Sequence, residues 1–298
     1  MFDTLPSLAE AREQSRRDDR EQAGESPAIP GEVRMSAPAP QPAPARTIQE
    51  VIARLDDIIA RSIREQSRLG YFAALYRKVT IRVKEGIAEG RFENGPRMER
   101  LDVTFANRYL EALDQLRRAG PVQSSDFSLP SCWLVAFKAA AAWRPIILQQ
   151  LLLGTNAHVN FDLGIAAAEI APGDELPSLR HDFDEINNIL ASLVGQVESE
   201  IDKVSPWIKF LDHIDPKADV AIVNFSLDKA RASAWDLATK LAPLSPSLWK
   251  PHLEIRDLEA AALAELIWHP VGLIFKLGLL LIRSRESNAV ARVIEVLN

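Results

Sequence analysis

The sequence is short of the residues on which several chemistries depend. It has one cysteine, Cys132, in 298 residues, which excludes an intramolecular disulfide framework. No histidine lies near Cys132 in sequence, so a cysteine nucleophile has no local base. Thirteen glycines are scattered along the chain. They form neither a Gly-rich phosphate loop nor a G-x-S-x-G elbow, which removes the nucleotide-binding loop and the serine-hydrolase turn. Basic blocks are missing too: 35 Lys and Arg stand against 41 Asp and Glu, for a net charge of −6. A nucleic-acid groove needs clustered cations and is not expected. The N-terminus opens on acidic and polar residues in place of a basic segment followed by an apolar core. With the lone cysteine, this predicts a cytoplasmic protein.

Few windows alternate with period two, whereas helical spacing of apolar residues is frequent. Residues 1–46 are rich in Arg, Glu, Asp, Pro and Ala and include "APAPQPAPAR", which predicts a disordered arm. From Thr47 the spacing of Ile48, Val51, Ile52, Leu55, Ile58, Ile59 and Ile63 predicts a helix, with Thr47 as N-cap and Glu50 three residues on. Further helices are expected over 97–118, 131–153, 154–170, 179–202, 217–241 and 255–283, with a short one near 287–297. The connectors carry Pro, Gly, Ser and Asp. The expected architecture is all-α, a single helical-bundle-like domain (47–298) of about seven or eight helices. Trp143-Arg144-Pro145 marks an irregularity. The apolar stretch 261–282 has nearly the length of a bilayer span. Glu265, His269, Pro270 and Lys276 interrupt it, which favours a buried core helix broken or kinked at His269-Pro270 over a membrane-apposed hairpin.

The segment "LLLGTNAHVNFDLGIAAA" (151–168) raises the functional question. An apolar run carries Asn156, His158, Asn160 and Asp162 within seven positions. At 100° per residue His158 and Asp162 share one helix face, and Asn156 and Asn160 project to nearly the opposite side. Polar groups on both faces imply a central helix contacted all round, whose side chains need internal partners. His158 and Asp162 at i, i+4 have the spacing of two ligands converging on one cation, and also of an ordinary His–Asp hydrogen bond. On the 179–202 helix, Asp182 and Asn187 flank the apolar stripe and Asp184 lies beyond it; which of Asp182 and Asp184 turns inward stays open. Asp102 lies near the stripe of the 97–118 helix, where a carboxylate pairs with an arginine such as Arg108 or Arg77, binds a cation, or has a raised pKa.

Three readings follow. In the first, a metal-dependent hydrolase, His158 and Asp162 ligate a divalent ion (Zn, Mn or Fe), Asp102 or Asp184 completes the shell, and Asn156, Asn160, Asn187 or Arg108 orients a polar substrate or stabilises developing negative charge. In the second, aromatics near the cluster, among them Phe72, Tyr76, Phe105, Tyr109 and Trp133, line a pocket for a small molecule or lipid. In the third, the polar residues satisfy one another and only fix helix register. The partner classes left standing are a small-molecule ligand and a membrane touched through 261–282; the oligomeric state stays open.

"YFAALYRKVT" (71–80), "RMERLDVTFANRYLEAL" (97–113), "AWRPIILQQLLLGTNAHVNFDLGIAAAE" (142–169) and "HDFDEINNIL" (181–190) resemble an uncharacterised, mostly bacterial and fungal family with an N-A-H-[IV]-N-x-D-L core. The resemblance implies one helical domain. It brings no established activity and no catalytic residues.

Overall fold

A computed structural model describes residues 43–118, 129–210 and 225–298. Most of the expected arm and the start of the expected 217–241 helix lie outside them. Among the described residues there are helices and connectors and no strands. Helix α1 (Ile48–Glu65) starts as its sequence predicts: the Thr47 side chain accepts from the Glu50 amide, and Glu50 accepts from the Arg46 amide at 2.7 Å. Its Val51, Leu55 and Ile58 are buried, while Arg54 and Asp56 pair with Asp114 and Arg77 of other helices. The residues just before it do not trail away. Ala45 exchanges two hydrogen bonds of 2.9 Å with the Asn107 side chain, so 43–46 is held along the third helix.

Helices α2 (Leu69–Ala88), α3 (Gly95–Arg118), α4 (Ser131–Ala141), α5 (Ile147–Thr155), α6 (Leu163–Ile170) and α7 (Leu176–Val204) follow. After the undescribed 211–224 come α8 (Leu227–Leu241), α9 (Lys250–Trp268), α10 (Leu273–Arg285) and α11 (Val290–Leu297). Two expectations are corrected. The 131–153 helix is two helices, because the chain turns extended at Ala142 and passes Pro145 before α5 begins. The 255–283 helix is α9 and α10, bent by 73° across the His269-Pro270 step, where Pro270 has no N–H to donate. The break falls where the sequence predicts it, but α10 leaves Leu273, Ile274 and Leu277 exposed, so this segment is not a buried core helix throughout.

Residues 147–170 run continuously through α5, a π-helical turn (Asn156–Asp162) and α6. This rod is central: the π turn packs against α3, α4, α8 and α9. Two glycines set its distance from its neighbours. A Cβ on Gly154 would meet the Phe72 ring at 2.5 Å, and one on Gly164 would meet the Ala234 carbonyl of α8 at 2.4 Å.

Three carboxylates, Asp182 and Glu286 buried and Asp257 half-buried, hold the surrounding helices by a common device. A helix N-terminus leaves N–H groups unpaired and carries partial positive charge. Asp182 of α7 accepts from the Glu93 and Asn94 amides at 2.6 and 3.1 Å, ahead of α3. Asp257 of α9 accepts from the Ser131 and Cys132 amides of α4 at 2.7 and 2.9 Å. Glu286, just past α10, accepts from Ile147 of α5 at 3.0 Å and from Ser205 Oγ at 2.8 Å. Burial raises its pKa to about 7. Each acid caps a helix distant in sequence, so local secondary structure and tertiary docking are secured together.

Removing Asp182 takes the acceptor from two backbone amides and from Arg97 and leaves a gap where a fully buried side chain stood. Asp182→Ala should cost about 2–3 kcal/mol in urea unfolding, the scale of charged hydrogen bonds lost from a buried site. Asp184→Ala, two residues on, breaks only a half-exposed pair with Arg180 and should stay within about 0.5 kcal/mol. Equal costs would contradict the capping role.

Candidate functional site: a histidine at the end of an apolar cavity

In the π turn the Leu163 amide bonds to the His158 carbonyl, five residues back. π turns insert an extra residue into a helix and recur at functional sites. Asn156, His158, Asn160 and Asp162 are all buried, and they divide into two sets as the helical spacing predicts. On one side Asn160 donates to the Asn156 side-chain oxygen at 2.8 Å, and Asn156 donates to the Ala260 carbonyl of α9 at 2.8 Å. Those two asparagines tie the rod to α9.

On the other side Asp162 gathers three donors. His158 Nδ1 lies 3.2 Å from Oδ2, Trp133 Nε1 donates to the same oxygen at 2.9 Å, and Arg108 Nε donates to Oδ1 at 3.2 Å. A carboxylate only accepts, so the proton of neutral His158 sits on Nδ1 and leaves Nε2 with a lone pair. That Nε2 is buried and has no partner. The ring is fixed by aromatics: Phe105 stacks on it at 3.5 Å and 6°, and Tyr76 meets it edge-on at 4.5 Å. Burial lowers its pKa despite the opposing pull of Asp162. The imidazole is thus held neutral.

His158 lines a cavity of about 460 Å³ bounded by α2, α3, the central rod, α7 and the start of α8. Its wall is mostly apolar, including Phe72, Val79, Leu101, Leu152, Ile186 and Leu193. Val194 and Glu198, both exposed, carry it to the surface along α7. Four lining residues keep a buried polar atom without a partner: His158 Nε2, Tyr76 Oη, Asp102 Oδ2 and Arg231 Nε. Native proteins leave few such atoms, and each calls for an explanation. Burial raises the Asp102 carboxyl to about 7 and pushes the Tyr76 phenol well above its ordinary value. It also lowers the Arg231 guanidinium to about 10.

The residues expected at the site separate accordingly. His158 and Asp102 line the cavity. Asp102 has neither of the arginines considered for it: Arg108 bonds Asp162 and Arg77 bonds Asp56. Asp162 and Arg108 stand behind His158. Asn156, Asn160 and Asn187 do not line the cavity, and Asn187 Oδ1 is buried without a partner elsewhere on α7. Asp184 sits at the surface on Arg180 because α7 turns Asp182 inward in its place. The set His158, Asp162, Asp102 and Asp184 therefore does not converge on one point. Among the described residues, Glu93, His181 and Asp182 are the group of metal-type donors whose atoms lie within 4.8 Å of one another. Tyr76 and Trp133 appear in the sequence only as aromatics, and their polar ends give no linear signal. Arg231 gives none at all.

An all-helical domain with an apolar cavity lined in part by a buried histidine is the class that fold and site define. The chain belongs to a family of unknown function, DUF5995, whose match spans residues 48–270. No curated protein and no solved structure matches it.

The Asp102 shift fixes a pH dependence. Its folded pKa, about 7, lies above the ordinary value of 3.8, so folding favours the protonated form. That contribution is complete below about 4 and is lost as pH rises towards about 7. Asp102→Asn should remove the decline, and its unfolding free energy should gain on the wild type steadily from acid to neutral pH. A difference constant with pH would contradict an unpaired, buried Asp102.

Proposed function

We propose that this protein binds a small amphiphilic molecule, an apolar body with at least one hydrogen-bonding group, in the cavity that ends at His158. The observation that carries this reading is the pairing of an apolar wall with four buried, unpartnered polar atoms. Ligand pockets typically join apolar area to a few oriented polar groups. A network built only to fix helix register would satisfy its own members, as Asn156 and Asn160 do. At neutral pH His158 offers an acceptor, Tyr76 a donor and Asp102 a titrating carboxyl. An uncharged hydroxyl or carboxyl group on the ligand suits that set.

The metal-dependent hydrolase is the second reading, and its support lies away from His158, in Glu93, His181 and Asp182. His181 and Glu93 are exposed. Asp182 already uses both oxygens on backbone amides and Arg97. A divalent ion there, Zn, Mn or Fe, would have to displace a helix cap. The cavity reading requires no such exchange.

The test is titration with N-phenylnaphthylamine, an apolar dye that fluoresces when shielded from water. The wild type should bind it. Ile186→Trp, which fills the cavity from α7, should weaken binding about tenfold or more by overpacking. His158→Phe should spare the dye but impair displacement by long-chain alcohols or acids relative to the matching alkane. Failure of the wild type to bind the dye, or unchanged binding in Ile186→Trp, would overturn the reading.

A further inference from the structure

Helix α10 is apolar on the face turned away from the protein as well as on the face turned in. Phe275, Leu279 and Ile282 form its inner stripe and cluster with Ile146. Leu273, Ile274, Leu277, Leu280 and Leu281, spaced as one helical stripe, are 73, 68, 57, 41 and 40% exposed. Val271, in the bend before α10, is 76% exposed. A helix apolar all round is normally covered on every side, and contiguous exposed apolar surface of this kind marks an interaction site.

Charge and aromatic placement indicate what covers it. From Leu266 to Arg285 the sequence has no Asp or Glu; Lys276 and Arg285 are exposed cations, while Arg283 is buried and paired with Glu286, in a chain whose net charge is −6. At the C-terminal end of α10, Arg285 lies over the Trp207 ring at 5.0 Å and Arg283 over the Trp143 ring at 5.5 Å. Trp143, Trp207 and Phe210 are each 40% exposed or more. At the other end Trp268 stacks on His269. An outward stripe of Leu and Ile, bracketed by Trp and joined by cations, is the composition of a helix lying in a lipid interface: the apolar face enters the acyl boundary, Trp sits at headgroup depth, and cations meet lipid phosphates. A second copy packed on the same stripe would set Lys276 and Arg285 of one chain against those of the other, with no carboxylate on the stripe to offset them. No single helix among the described residues is long and apolar enough to cross a membrane, and α10 joins α9 only through a 73° bend, so the proposal places α10 in the interface plane.

We propose that the outer face of α10, with the Val271 bend, docks this protein on an anionic lipid surface. The docking does not rest on the cavity reading, but the two meet in the fold. Leu148 and Leu152 of α5 pack against the inner stripe of α10 and also line the cavity. A single layer of side chains therefore backs both.

The experiment is flotation of the full chain with vesicles of phosphatidylcholine, with or without phosphatidylglycerol, alongside light scattering. The wild type should float with phosphatidylglycerol vesicles. The pair Leu273→Glu and Leu277→Glu should lower partitioning about tenfold or more, since it charges the inserted face. The pair Lys276→Glu and Arg285→Glu should weaken binding several-fold on the anionic vesicles only, as loss of attraction near the membrane surface requires. All four side chains are solvent-exposed, and an unchanged thermal midpoint would show the variants folded. Absence of vesicle binding by the wild type, or binding untouched by the leucine substitutions, would overturn the proposal. So would a dimer that Leu277→Glu splits, which would assign the face to a second copy.

Discussion

The buried Asp162 carboxylate is the interaction on which the rest of the site depends. A lone carboxylate in this core would carry a prohibitive desolvation cost. Asp162 avoids it by accepting from Arg108, Trp133 and His158 at once. Those donors come from α3, α4 and the π turn, so satisfying one charge fixes three elements around a common point. The same arrangement dictates the chemistry of the imidazole. With Nδ1 committed to Asp162, Nε2 is the only nitrogen left to meet a ligand, and the stacked Phe105 ring prevents it from turning away. Neutralising the carboxylate would free the ring, leave Arg108 with Glu169 as its remaining acid and loosen the contact between α3 and α4.

The outer helices follow the same logic at lower intensity. Asp182, Asp257 and Glu286 reach across to cap α3, α4 and α5, so the cavity wall is assembled from helices whose ends are anchored by remote acids. Lys78 and Glu200 add a buried ion pair between α2 and α7. These polar anchors lie around the apolar cavity and leave its interior almost free of charge. Four of its lining residues, His158, Tyr76, Asp102 and Arg231, each keep one buried polar atom without a partner, and the proposed ligand site rests on that grouping.

Much of this was legible in the sequence wherever local periodicity governs. The i, i+4 relation of His158 and Asp162, the opposite projection of Asn156 and Asn160, and the place of Asp102 near the buried stripe all follow from a 3.6-residue repeat. The resemblance carried by the N-A-H-V-N-F-D-L segment pointed to the family that the match confirms. What escaped was set by tertiary contact. The π turn depends on which carbonyl Leu163 bonds, and side-chain periodicity does not record that. The choice between Asp182 and Asp184 turned on the rotation of α7, decided when Asp182 found the free amides before α3. The expected metal set failed for the same reason: residues that share a helix face need not reach a common point once an arginine and a tryptophan have claimed Asp162.

The account rests on His158 being a neutral imidazole locked with Nδ1–H on Asp162, its buried Nε2 left without a protein partner beside the cavity. Long-range nitrogen–proton NMR of histidine-labelled protein reads this state directly. The account predicts one of the five histidines in the Nδ1–H tautomer, unchanged from mildly acidic through neutral pH and absent from His158→Phe, with its Nε2 signal moving when an amphiphile is added. An imidazolium at neutral pH, or the opposite tautomer at His158, would contradict it.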